Sequence, residues 1–199
     1  MAFAGLLQRK VGRAAAFRAS AAKTLHGYPA ALASLLDIYS LSEVATTSAT
    51  DDDVLMRLLT LMSDLIFFLP AVELAAKFPN DSFVAAFNEP NPWEGLFKGH
   101  ASHILDVAFL FQNFNDSLDQ TQTASAVAFG TDVIAFVNGA EPWKTFNGSG
   151  KGAGVYADGK RRYSDKEMTN RHDLLQLAHD SEGPGLDRLV LVATGFMDG

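Results

Sequence analysis

The residues best equipped for chemistry in this 199-residue chain stand close together: His100, His103 and Asp106, each three apart, in a glycine-bounded stretch that runs into an apolar helical pattern. Imidazole and carboxylate at i and i+3 share a helix face, and such a face can clip a metal ion. A third firm ligand is missing, so the same spacing also reads as two surface histidines at a helix start. His172 and His179, seven apart, flank an amphipathic stretch and read as a partly exposed helix face, while His26 is a lone loop histidine. The chain has no cysteine, which removes thiolate zinc sites, cysteine nucleophiles and disulfides together. The loop Asn147-Gly148-Ser149-Gly150-Lys151-Gly152 is glycine-rich but does not follow the G-x-x-x-x-G-K-[ST] spacing of a phosphate loop. Sequons at Asn80, Asn115 and Asn147 read as idle without a signal peptide. Neither a cofactor nor a metal is expected.

Composition narrows the partners. Hydrophobic residues make up 48% and charged residues 20% of the chain, enough apolar material for a buried core. A net charge of −7 argues against nucleic-acid binding, which needs a concentrated basic face. The longest apolar run, Leu65 to Val72, falls short of a membrane span and is flanked by Asp64 and Glu73, so no transmembrane segment is expected. Residues 1–36 hold no acid but carry Arg9, Lys10, Arg13, Arg18 and Lys23 among alanines. That is the composition of a mitochondrial targeting segment, and equally of an Ala-rich helix with solvated basic residues. The compartment stays open, cytoplasmic by default. An Ala/Arg-rich segment over 1–27 is separated from a domain over 28–199.

The elements that must position these side chains follow from periodicity. Pro29 suits the first turn of a helix through Tyr39. Asp51-Asp52-Asp53 ahead of Val54, Leu55, Leu58, Leu59, Met62, Leu65 and Ile66 predicts an amphipathic helix. Pro70 is expected to kink it before it resumes through Phe78. Ser82–Asn88 reads as a short buried strand bounded by Pro90 and Pro92, and a loop over 91–102 follows. Ile104, Val107, Ala108 and Phe111 resume a helical period, and a second long helix is expected over Thr121–Val137, capped by Asn138-Gly139. Short strands are expected at Gly154–Ala157 and Arg161–Tyr163. Asp187–Ala193 reads as a helix or a strand.

The run from His103 to Phe111, H-I-L-D-V-A-F-L-F, resembles H-G-x-[DE]-[IL]-x-[FY]-[VL]-F, the histidine segment of type-B carboxylesterases and cholinesterases in the α/β-hydrolase family. The likeness extends roughly over residues 28–197. It takes in the Asp64…Phe67-Phe68…Pro70 helix, the Phe83–Phe87 strand, the helix from Ala124 to Gly139, and Glu141-Pro142-Trp143. The resemblance implies an α/β fold, here the C-terminal fragment of an α/β-hydrolase, predominantly helical with a few short strands. It also implies that His103 is the catalytic histidine, with Asp106, Val107, Phe109 and Phe111 at the acidic, aliphatic and aromatic positions. His103 is preferred to His100 because only that register places the acid and both aromatics. Ile104 stands where the family usually has glycine. Neither the nucleophile elbow G-x-S-x-G nor a Gly-rich oxyanion segment occurs in the chain. A histidine base without serine, acid and oxyanion donors has nothing to activate, so the chain alone is expected to be inactive. It would act on a small-molecule ester only when completed by an upstream half. The alternative is a non-catalytic, hydrolase-derived interaction module. If the chain is the hydrolase part, the apolar faces of the helices over Val54–Phe78 and Thr121–Val137 lose part of their packing, and self-association through exposed apolar faces is expected. A stable folded monomer would favour the interaction module.

Overall fold

A computed structural model describes residues 12–146 and 152–198. In chain order the elements are α1 Arg13–Thr24, α2 Pro29–Ile38, α3 Glu43–Thr46, α4 Asp51–Ser63, a π-helical turn at Asp64–Phe68, α5 Leu69–Lys77, β1 Ala85–Phe87, α6 Leu105–Phe111, a 3-10 turn at Asn115–Ser117, α7 Gln120–Val137, β2 Ala153–Ala157, β3 Lys160–Ser164, α8 Lys166–Thr169, α9 His172–His179 and α10 Gly185–Asp198. The chain is mixed α/β and mostly helical, with one three-stranded sheet among the described residues. It divides into two compact units, one of residues 1–73 with 171–199 and one of residues 74–170. The division differs from the boundary expected after residue 27. Helix α1 sends Phe17 and Ala21, both fully buried, into the first unit's core, and the Arg18 guanidinium donates to the Leu41 carbonyl at 3.1 Å. Arg9, Lys10 and most of the loop from Asn147 lie outside the described residues.

In the first unit the start of α4 is fixed by its own sequence. The Thr50 hydroxyl accepts from the Asp53 N–H at 3.1 Å and the Asp53 carboxylate accepts from the Thr50 N–H at 3.0 Å, a reciprocal capping box. The Thr50 hydroxyl, donating to the Asp53 carboxylate at 2.7 Å, and then the Thr50 N–H hold the Asp53 carboxyl below its usual range. Val54, Leu55, Leu58, Leu61, Met62 and Leu65, at helical spacing, are buried against Phe17, Leu35, Leu189 and Phe196. Pro70 does not end this helix. Asp64–Phe68 widens into a π turn in which the Leu69 N–H bonds the Asp64 carbonyl, and the helix continues through Pro70. Proline lacks an N–H and crowds the carbonyl four residues back, and the wider turn relieves that conflict.

The whole run Asp51–Lys77 is therefore long and apolar enough to cross a membrane by length and composition, and half of its most apolar window is buried inside the protein. Its internal acids, Asp64 and Glu73, are buried and paired. Asp64 accepts from the Tyr39 hydroxyl at 3.0 Å and from Arg171 Nε at 2.8 Å, and Glu73 pairs with His179. The stretch 187–193, open between helix and strand, lies in α10.

The second unit is built on the sheet, ordered β1-β2-β3. Strand β1 runs parallel to β2 with Ala85 opposite Gly154 and Phe87 opposite Tyr156, and β2 pairs antiparallel with β3. Asp158 and Gly159, both at positive φ (53° and 72°), make the two-residue hairpin turn that Asp-Gly favours. The strand expected over Ser82–Asn88 is shorter and less buried, because β1 is an edge strand and Ala85 is exposed. Helix α7 starts where a second capping box, between Asp119 and Gln122, satisfies its first N–H groups. Its inner face packs on the sheet, with the Phe129 and Tyr156 rings 4.8 Å apart and the Tyr156 hydroxyl donating to Asp132 at 2.8 Å.

Candidate functional site

The loop from Asn88 to Ile104 joins β1 to α6 and carries His100 and His103. Its root is pinned by buried polar groups. Glu89, 1% exposed, accepts from the Ser125 hydroxyl on α7 and from the Gly159 N–H at 2.9 Å. One residue on, the Pro90 carbonyl accepts from Gln122 Nε2 at 2.7 Å. Asn91 then folds the loop back on itself. Its N–H donates to the His100 carbonyl at 3.1 Å, its carbonyl accepts from the Gly99 N–H at 2.9 Å, and its side-chain oxygen accepts from the Trp93 N–H at 2.8 Å.

His103 sits in the turn immediately before α6 and is exposed. The Leu105 N–H donates to the Ser102 carbonyl at 3.1 Å, closing a four-residue turn with His103 and Ile104 at its centre. Ile104 has φ 70° and ψ 0°, the dihedrals of the third residue of a type II turn, a place that favours glycine. For a β-branched side chain this conformation is strained. Helix α6 then starts at Leu105. Leu105 and Phe109 are buried, with the Phe109 ring 5.0 Å from Phe87 of β1. The inward face is therefore not the expected one: of the expected set, Ile104, Val107 and Phe111 are exposed.

His100 is exposed, and its backbone rather than its ring enters the loop's hydrogen bonding. Asp106 is half-buried. Among the described residues no three or more His, Asp or Glu side chains come together to hold a metal ion, so His100, His103 and Asp106 do not form a clip. His26, His172 and His179 are exposed, and His179 ends α9 with Nδ1 donating to the Leu175 carbonyl at 2.7 Å. The open depression of about 930 Å³ lined by Ser34, Asp37, Asp173, His179 and Asp180 belongs to the first unit and includes no residue of the His103 loop.

Two polar clusters carry no signal in residue spacing. Burial, and then the Asp64 charge and hydrogen bond, raise the Tyr39 phenol above its ordinary value; burial, and then the hydrogen bond to Asp132, do the same for Tyr156. Arg171 and Arg161 balance the two carboxylates. Glu89, Asn91 and Gln122 were equally silent in the sequence, apart from their place beside Pro90 and Pro92. Compared with protein-family models, curated proteins and solved structures, the chain matches none.

Proposed function

We propose that this chain is the histidine-bearing, C-terminal part of a type-B carboxylesterase-like α/β-hydrolase, in which His103 is the general base of ester hydrolysis. The observation that carries the reading is the backbone after His103. The family's motif has glycine at that position, and Ile104 holds the left-handed conformation that a glycine takes without strain. The departure at the glycine position thus falls on a turn built for the missing residue, and the other, Val107 at the [IL] position, keeps an aliphatic side chain. The order of elements supports the same reading: helix, strand, long loop, histidine turn, short helix, then the long helix α7. In such an enzyme His103 takes the proton of a serine supplied by another segment and returns it to the leaving alcohol.

The chain contains no G-x-S-x-G, and that favours a second reading in which it is a non-catalytic, hydrolase-derived interaction module. Complementation separates the two. The chain is co-expressed with a serine-elbow-bearing N-terminal segment of a type-B carboxylesterase and assayed with a short-chain aryl ester. The expected result is no hydrolysis by the chain alone and a rate with both pieces that drops at least a hundredfold in His103→Ala, within the usual effect of losing a general base. A complemented rate indifferent to His103→Ala rejects the enzymatic reading.

A further inference from the structure

We infer that Asn91 is the positioning residue of the histidine turn, a clasp that holds residues 98–103 in place without touching substrate; this rests on the reading of His103 as the base. The segment before it is anchored. Glu89 is buried against Ser125 and Gly159, and the Pro90 carbonyl is held by Gln122. Pro90 and Pro92 flank Asn91, and the residue before a proline is confined to extended conformations, so Asn91 presents its N–H and carbonyl sideways. Both are taken by the returning loop, at His100 and Gly99. The side chain completes the clasp at both ends. Its oxygen caps the Trp93 N–H at 2.8 Å, an Asx turn that keeps the loop tight, and its Nδ2 reaches toward the hydroxyl of Ser102, the neighbour of His103, at 3.5 Å. Asn91 thus links the rigid root, tied to α7 and the β2–β3 turn, to the residue before the base. A displacement of about 1 Å in a catalytic group costs roughly a hundredfold in rate.

The test is made on the full chain by NMR, with His26, His172 and His179 as internal controls. In Asn91→Ala the amides of Trp93, Gly99 and Leu105 are expected to exchange at least tenfold faster, and the His103 ring signals to shift and broaden. The three control histidines and the amides of α7 should stay as they are. Asn91→Asp, which keeps an acceptor for the Trp93 N–H and can accept from the Ser102 hydroxyl, is expected to restore the native His103 signal. If Asn91→Ala does not fold, Asn91→Ser replaces it: its hydroxyl still caps Trp93 but cannot reach Ser102, and an intermediate His103 shift is expected. Unchanged His103 signals in the folded variant overturn the inference, as does an equal loss of protection throughout α7. In the complemented esterase, Asn91→Ala should lower kcat about tenfold with KM within twofold. An Asn91→Ala rate equal to wild type, beside a dead His103→Ala, overturns the clasp and keeps the base; a His103→Ala rate equal to wild type overturns the base itself, and the clasp as a catalytic device with it.

Discussion

An isoleucine held at φ 70°, with its side chain 54% exposed, gains little from burial to offset the strain of its backbone. The left-handed conformation costs an L-residue about 1–2 kcal/mol, whereas in ordinary helical positions alanine is better than glycine by about 1 kcal/mol. Comparing two variants that both lose the side chain isolates the backbone. Ile104→Gly is expected to be more stable than Ile104→Ala by about 1 kcal/mol, read from chemical denaturation, and the reverse order would mean the turn is not left-handed in solution. A second residue-scale prediction concerns Tyr39 and Tyr156, whose phenols are raised above the ordinary value of 10.0 by burial and by Asp64 and Asp132. The unfolded phenols lose their protons near pH 10 while the folded ones keep theirs. The stability these tyrosines contribute is therefore complete below about pH 10 and is lost as the pH rises beyond it. Melting temperature should fall steeply above that pH in the natural chain and less steeply in a Tyr39→Phe, Tyr156→Phe double variant. Parallel profiles would show that neither phenol resists ionisation.

At the scale of elements, glycines separate close packing from idle flexibility. Gly154 lies in β2, and a Cβ there would come within 2.7 Å of the Trp143 ring. Gly154→Ala should therefore cost about 1–3 kcal/mol, the usual effect of overpacking. Gly130 lies inside α7, where a Cβ would meet Gln112 at an ordinary 3.5 Å, so Gly130→Ala should stabilise by about 0.5–1 kcal/mol. Thermal melts of the two variants moving in the same direction would contradict this packing. The elements that the sequence made legible are those with local signals. The acids and spaced apolar residues of α4, the helix from Thr121, and the Gly154–Ala157 and Arg161–Tyr163 strands all form. What stayed hidden was decided by tertiary packing. Leu105 with Phe109, and Val107 with Phe111, put apolar residues on two opposite faces of α6, so periodicity could not choose its inward face, and the Phe87 ring did. Likewise His103 stood out by its residue type and motif. Asn91, Glu89 and Gln122 are ordinary polar residues whose roles exist only once β1, α7 and the hairpin are assembled.

At the scale of the whole molecule, the question is which apolar surface the chain leaves uncovered. Of the helix expected over Val54–Phe78, the apolar stripe of α4 is spent in the first unit's core, while Phe67, Leu74 and Phe78 further along are exposed. In the second unit, Ile104, Val107, Phe111 and Phe114 follow one another at helical spacing and are each 41–65% exposed. Helix α7 exposes Val127, Ile134 and Val137 at 50%, 65% and 76%, on a face shared with Ala124 and Thr131 that carries no charge. Soluble monomers rarely show contiguous apolar patches beyond a few hundred Å², and they usually break such faces with charged residues. The isolated chain is therefore expected to bind a hydrophobic dye, or to associate, at micromolar concentration. Phe111→Glu with Ile134→Lys should suppress the dye signal without lowering the melting temperature, since neither side chain is in a core. The complementing serine-elbow segment should suppress it too, by covering the face that begins beside His103. A dye-negative monomer with a sharp cooperative melt would mean these stripes are tolerated as free surface, and the independent module would then account for the chain better than the hydrolase part.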